Sequence, residues 1–348
     1  MPPPDRALPA QVGVVPAEPG AGGGAVTPSF ALPDGSGAGL PASPAPLQLR
    51  AQTFTWGSRT FVMGIVNVTP DSFSGDGLLS GAPGDPVAAA VALGRAMVAD
   101  GADLLDVGGE SSRPGHAAVP ADEEIGRVLP VVRALRAFLP DLPLSVDTTK
   151  PAVAAAALEA GADLVNDVWG VVPDDSLARV AAEHGAPLVL MHNRAEARYR
   201  SILAEVVADL QQAMERALAA GVAWDRLLVD PGFGFGKAPV HNLVLLRELA
   251  TLRVLGRPIV LGTSRKSTLG KVLDLPPHER LEATLATTAL AVAAGVDIVR
   301  VHDVRANVRV ARMADAIVRG WVPPDEVGPG DVGAAAGTSR GTPGGSPR

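Results

Sequence analysis

The residues that could do chemistry in this chain stand where its apolar runs end. In chain order these ends are Asn67, Gly109 with Glu110, Asp147, Asn166, Met191 with His192, Asp230, then Ser264, Arg265 and Lys266, and finally Arg300 with His302. A carboxylate accepts adjacent N–H donors, an amide both donates and accepts, and a guanidinium or ammonium meets an oxyanion. Two carboxylates, two amides and several cations around one cavity suit a ligand with a hydrogen-bonding heterocycle at one end and an anion at the other. The chain has no cysteine and no convincing Ser-His-Asp set.

Convergence of those ends requires the runs to be parallel strands. Eight of them recur, FVMGIVNV, DLLDVGG, PLSVDT, DLVNDV, PLVLMH, RLLVDPG, PIVLGT and DIVRVHDV, each reading as a strand buried on both faces. Between them lie Ala-rich segments of helical period such as PVAAAVALGRAMVAD. The connectors ADGADLLDV, EAGADLVNDV, EHGAPLVL and AAGVDIVRV each put a glycine where a helix should stop. Eight alternations over about 260 residues fit a (β/α)8 TIM barrel better than an open doubly wound sheet, and a barrel carries its reactive groups at the carboxyl ends of its strands. Alternation puts Arg300 with His302, Asp147 with Ser145 and Asp230 with Leu228, on faces that can point into the lumen. The segment Gln52–Thr60 reads as a hairpin around Gly57 that closes the barrel's bottom.

Composition narrows the partners. With 348 residues, 47% of them hydrophobic, the chain can bury a full core, and a net charge of −7 with scattered Lys and Arg offers no face for nucleic-acid phosphates or anionic lipid. A small-molecule partner is expected. The longest uncharged helical stretch, Ala283–Val296, falls short of the roughly 20 apolar residues of a membrane span. The missing cysteines are compatible with a cytoplasmic location. Residues 1–48 and 323–348 are biased to Gly, Pro, Ala and Ser and read as disordered tails flanking a barrel over 49–322. GFGFGK is not a nucleotide loop, because Pro231 stands where the first glycine is needed and Ala238 replaces the hydroxyl residue.

The motifs MGIVNVTPDSFS (63–74), DVGGESSRPG (106–115), SVDTTK (145–150), NDV (166–168), DPGFGFGK (230–237), SRKS (264–267) and RVHDV (300–304) occur in this order across the barrel. Taken together they are specific, and the chain resembles the dihydropteroate synthases of the folate pathway. That resemblance implies a transferase that joins a dihydropterin methyl diphosphate to 4-aminobenzoate and releases pyrophosphate. It implies a pterin site of Asp147, Asn166, Asp230, Lys266, Met191 and Phe235, and a diphosphate site of Asn67, Ser112, Arg113, Arg300 and His302. Asn67 is implied at a Mg2+ ion, and Ser112, Pro114, Phe235 and Ser267 at the aminobenzoate. Thr69, Asp71, Ser72, Phe73 and Asp76 are implied in a mobile loop that covers the diphosphate with the loop of Ser112 to Pro114. Such enzymes are thought to react through a cation-like methylene stabilised by the electron-rich ring, and they are commonly homodimers packed through outer helices.

The chain departs from the family at two points. Ser112 replaces the usual threonine, and Gly75 separates DSFS from Asp76, which ordinarily follows it directly. Two rivals share the fold. A folate-corrinoid methyltransferase would keep the Asp, Asn, Asp set without needing SRKS, the Arg-His strand end or NVTPDSFS, all present here. A non-catalytic pterin-binding paralogue would have lost loop or phosphate residues, and only the displaced Asp76 leans that way.

Overall fold

The computed structural model describes residues 44–69, 85–110, 119–170 and 174–321. The eight apolar runs form the strands β3 (Phe61–Asn67), β4 (Leu104–Gly108), β5 (Leu144–Asp147), β6 (Leu164–Asp167), β7 (Leu188–Met191), β8 (Leu227–Asp230), β9 (Val260–Leu261) and β10 (Ile298–Val301). They pair in parallel in the order β8-β7-β6-β5-β4-β3-β10-β9. Between β8 and β9 the ring is completed by one bridge, Val229 with Ile259, and by Val229 N–H donating to the carbonyl of Pro258 at 3.0 Å. The sheet is therefore a closed (β/α)8 barrel, as the alternation of runs predicts.

The outer layer is helical: α1 (Pro86–Ala99), α2 (Ala121–Phe138), α3 (Pro151–Glu159), α4 (Ser176–Glu183), α5 (Ile202–Ala219), α6 (Pro239–Arg247), α7 (Ser267–Leu273), α8 (Leu281–Ala293) and α9 (Val304–Arg319). Two features of the local sequence set the helix ends. Asp85 caps α1 by accepting from Val87 N–H at 2.9 Å, and the connector glycines turn left-handed, as at Gly161 with φ +113°. The main core lies between barrel and helices, where Val66, Leu105, Val107, Val146, Val165, Leu190 and Val229 face residues such as Val131, Leu135, Val206 and Leu210. These strands are apolar on both faces because helices cover one and the lumen closes the other.

The hairpin is displaced from its predicted place. Its strands are β1 (Leu47–Leu49) and β2 (Gln52–Phe54), and the turn falls at Arg50, with φ +53°, not at Gly57. A glycine is the usual signal for such a turn, and the Arg-Ala pair used here carries none. The hairpin still plugs the bottom. Leu47, Leu49, Phe54 and Trp56 pack with the lumen residues Phe61, Met63, Leu104, Leu164, Val189, Leu228, Val260 and Ile298 in a second core. The strand β1 starts at Leu47, within the stretch read as tail. The rest of the predicted tails, residues 1–43 and 323–348, lies outside the described residues.

Candidate active site

The lumen changes character from bottom to top. On several strands the inward face begins apolar and turns polar higher up, as in Leu104-Asp106 of β4, Leu164-Asn166 of β6, Leu228-Asp230 of β8 and Ile298-Arg300 of β10, while β7 stays apolar through Val189 and Met191. The two-residue period of a strand alone produces this layering. In the middle layer, Arg300 Nε donates to Asp106 Oδ2 at 2.5 Å and Nη2 to Asp147 Oδ2 at 2.6 Å. Asn166 Nδ2 donates to the same Asp106 oxygen at 3.0 Å, while the buried Asp106 Oδ1 has no hydrogen-bond partner.

Above this layer a small cleft opens to solvent, lined by Asn166, Val168, Met191, Asp230, Phe233, Phe235, Gly262, Lys266 and Arg300. Asp230 Oδ1 accepts from Gly232 N–H at 2.7 Å, and Lys266 Nζ lies 3.7 Å from the centroid of the Phe235 ring. The lining combines the polar groups of Asn166, Asp230, Lys266 and Arg300 with the flat or soft apolar groups of Met191, Phe233 and Phe235, a mixture suited to a planar heterocycle.

The electrostatics follow from burial. Burial pushes the Asp230 carboxyl up to about 6, partly opposed by the Gly232 N–H and by Lys266 and Arg300. Burial also pushes Asp147 up to about 7, against the pull of Arg300 and with the push of Asp106. Burial works against the Arg300 charge, but Asp106 and Asp147 outweigh it, and the guanidinium sits above its ordinary value. An excess of carboxylates over cations in this largely buried cup leaves it able to accept N–H donors from a ligand.

The family model described as "pterin binding enzyme" matches residues 63–302, from β3 to the end of β10. The dihydropteroate synthase of Clostridium beijerinckii is 44% identical over 274 residues, which is 78% of this chain and all of that protein. The Bacillus subtilis enzyme of the same name is also 44% identical, over 78% of this chain and 93% of its own length. The chain belongs to the dihydropteroate synthase family. Solved synthases agree in three dimensions. The Clostridium difficile enzyme, crystallised in the presence of pteroic acid, is 47% identical with a TM-score of 0.72, over 76% of this chain and 98% of that one. The Xanthomonas albilineans enzyme with 4-aminobenzoic acid is 43% identical with a TM-score of 0.71, over 78% and 96%.

Of the residues that the synthase resemblance singles out, Asn166, Met191, Asp230, Phe235, Lys266 and Arg300 share the cleft. Asp147 does not line it but joins it through Arg300. His302 stands at the top of β10 with Nδ1 2.9 Å from Ser264 Oγ, Ser267 is exposed at the start of α7, and Asn67 is half-buried at the end of β3 with Thr69 buried beyond it. Asp71, Ser72, Phe73, Asp76, Ser112, Arg113 and Pro114 lie outside the described residues.

Three strand-end residues do other work than the sequence suggests. His192 is fully buried and faces away from the cleft, with Nε2 3.0 Å from Asp209 Oδ2. Glu110 is ion-paired with Lys150, which also meets Glu124 at 2.6 Å. Arg265 pairs with Asp303 through two bonds of 2.6 and 3.0 Å. Reading the strand ends missed Asp106, which accepts from both Arg300 and Asn166 in the lumen. A carboxylate inside the apolar run DLLDVGG was the available signal, since a buried charge in a strand interior needs a partner across the lumen.

Proposed function

We infer that the chain condenses (7,8-dihydropterin-6-yl)methyl diphosphate with 4-aminobenzoate to 7,8-dihydropteroate and pyrophosphate, the folate-pathway transferase activity of its family. The observation that carries this reading at the site is the cleft that joins Asp230 and Asn166 to Lys266, Phe235 and Arg300. Asp230 accepts the paired N–H donors of the aminopyrimidine edge, Asn166 reads the edge that both donates and accepts, and Lys266 meets the ring carbonyl. Met191 and Phe235 supply the walls against the ring faces. Asp147, which the family resemblance sets opposite a ring N–H, stands outside the cleft lining here and acts by holding Arg300 in place.

The leaving diphosphate belongs to Asn67, Arg300 and His302, together with Ser112 and Arg113. Arg300 uses Nε and Nη2 to bind Asp106 and Asp147, so the Nη1 side of its fork can turn to the ligand. As the C–O bond to diphosphate breaks, its electron pair leaves with pyrophosphate. The C–N bond forms and the amine sheds a proton. Cations gathered where negative charge grows favour the transition state over the ground state. Ser112, Pro114, Phe235 and Ser267 hold the aminobenzoate. Thr69, Asp71, Ser72, Phe73 and Asp76 form the cover that keeps water from the cationic methylene.

Among the described residues no three of His, Cys, Asp and Glu stand together as a metal set. A Mg2+ ion needs none here, because this ion usually takes one or two protein oxygens and completes its shell with water and substrate phosphates. The Asn67 amide oxygen, half-buried at the top of β3, is a donor of the right kind. When bound, the ion would neutralise charge on the leaving group. No described helix is long and apolar enough to cross a membrane. A homodimer packed through outer helices is supported by the exposed Leu290 of α8, Met313 and Ile317 of α9 and Trp321. Light scattering of Ile317→Glu beside the parent chain checks this, and equal masses would remove α9 from the interface.

The deciding assay is pyrophosphate release from the dihydropterin methyl diphosphate with Mg2+, with and without 4-aminobenzoate. Release only in the presence of the amine is expected. Release that ignores the amine, or tight pterin binding without release, would defeat the reading.

A further inference from the structure

Behind the cleft lies an ammonium that the condensation does not use. Lys237 Nζ is 2.8 Å from His192 Nδ1, 2.9 Å from the carbonyls of Gly232 and Phe235, and 3.2 Å from the carbonyl of His192. These four acceptors take up all the donors of an ammonium group. His192 accepts on Nδ1 and so carries its proton on Nε2, which donates to Asp209 Oδ2. Burial holds this imidazole down to about 4, so it is neutral at physiological pH. Asp209 is itself fixed by Arg194, whose Nε lies 2.8 Å away.

The segment that Lys237 ties down runs from Asp230 through Phe235. Its backbone lies directly on residues 192–194. A Cβ on Gly232, where φ is +69°, would come 1.8 Å from the His192 carbonyl, and one on Gly236, where φ is +54°, would come 2.2 Å from that of Arg194. No side chain fits between the two segments, so the inward-pointing carbonyls depend on a donor threaded from the loop's own end. Tyr199 adds a second tie by donating its hydroxyl to the Gly236 carbonyl at 2.8 Å.

We propose that Lys237 is a positioning residue for pterin binding, fastening the 231–237 loop to His192 so that Asp230 and Phe235 meet the ring together. This rests on the reading of the cleft as the pterin site. A cation used only to stabilise the barrel would be a poor choice here. Burial, with Lys266 and Arg194 adding to it, pulls the Lys237 ammonium down to about 7 against the support of Asp230 and Asp209, so its charge is kept at a cost.

The test is calorimetric binding of a pterin lacking the diphosphate, with steady-state kinetics, on Lys237→Met, Tyr199→Phe and Asp230→Asn. Loss of the donor should weaken pterin binding about tenfold in Lys237→Met, with kcat at saturating substrates falling less than about threefold. Tyr199→Phe should lose about two- to fivefold in affinity. A folded Lys237→Met that binds pterin like the parent, or loses only kcat, overturns the proposal. If Lys237→Met does not fold, Tyr199→Phe decides, and unchanged affinity there overturns it too. Unchanged affinity in Asp230→Asn would instead remove the pterin-site reading on which the proposal stands.

Discussion

Replacing Arg300 by Met keeps the apolar stem and deletes the guanidinium that joins two carboxylates in the lumen. Asp106 is wholly buried and Asp147 is 8% exposed, so neither can turn to water for a new partner. Asp106 would keep only the Asn166 amide, with Oδ1 already orphaned. Two charge-assisted bonds at about 1.5–3 kcal/mol each bracket the ~3–5 kcal/mol expected when one side of a buried ion pair is removed. The loss should depend on pH. The folded-state value of about 7 for Asp147 lies above its ordinary 3.8. Its contribution to stability is therefore complete below about pH 4 and fades as pH rises through 7. Removing the cation that favours the ionised form moves that fading higher and deepens it. Urea unfolding followed by tryptophan fluorescence should show the variant losing about 3–5 kcal/mol at pH 8 and about 1–2 kcal/mol less than that at pH 5.5. A loss below about 1 kcal/mol at pH 8, or one equal at both pH values, would refute the claim that Arg300 neutralises these carboxylates.

Asp230→Asn should weaken pterin binding by about 1.5–3 kcal/mol, measured by calorimetry, because an amide presents one acceptor where the ring needs two. With Asp230 near 6 and Asp147 near 7, pterin affinity in the parent chain should rise from pH 5 to pH 7.5, and Asp230→Asn should flatten the lower part of that profile. Arg113→Ala should slow turnover far more than it weakens pterin binding, and equal losses in both would contradict its assignment to the leaving group. Gly232→Ala should lower the unfolding midpoint and pterin affinity together, since the added Cβ would lie 1.8 Å from a backbone oxygen. A variant with parental stability would show that the 231–237 loop is not held as described.

The barrel and most of its cup are legible in the chain because both follow from one repeating rule. Apolar runs at helix-length intervals require parallel strands, and a period of two decides which polar group at each end turns inward. That rule correctly separates Met191, which lines the cleft, from His192, which does not, although counting strand ends alone merges them. It also reaches Asp106, which shares the inward face of Leu104 and Gly108 but lies one layer below the end of its strand. Partners that meet only through folding could not be read. Nothing local in the chain ties Lys237 to His192, 45 residues away, or Arg300 to Asp106 across 194 residues. The hairpin turn at Arg50 was hidden for the opposite reason, since a residue with no turn preference takes the conformation that packing of Leu47 and Phe54 against the barrel imposes.

The bridge between Val229 and Ile259 makes the β8–β9 junction the least stitched line around the ring. Asp230 stands on one side of it, and Lys266 and Arg300 on the other. A flat molecule grasped from both sides would rivet that line shut, so substrate loading should slow amide exchange at Val229 more than at Leu105 or Val146, deep in the well-laced half of the barrel. On that outcome the cup borrows part of its rigidity from its guest along the very edge where the ring must slide in.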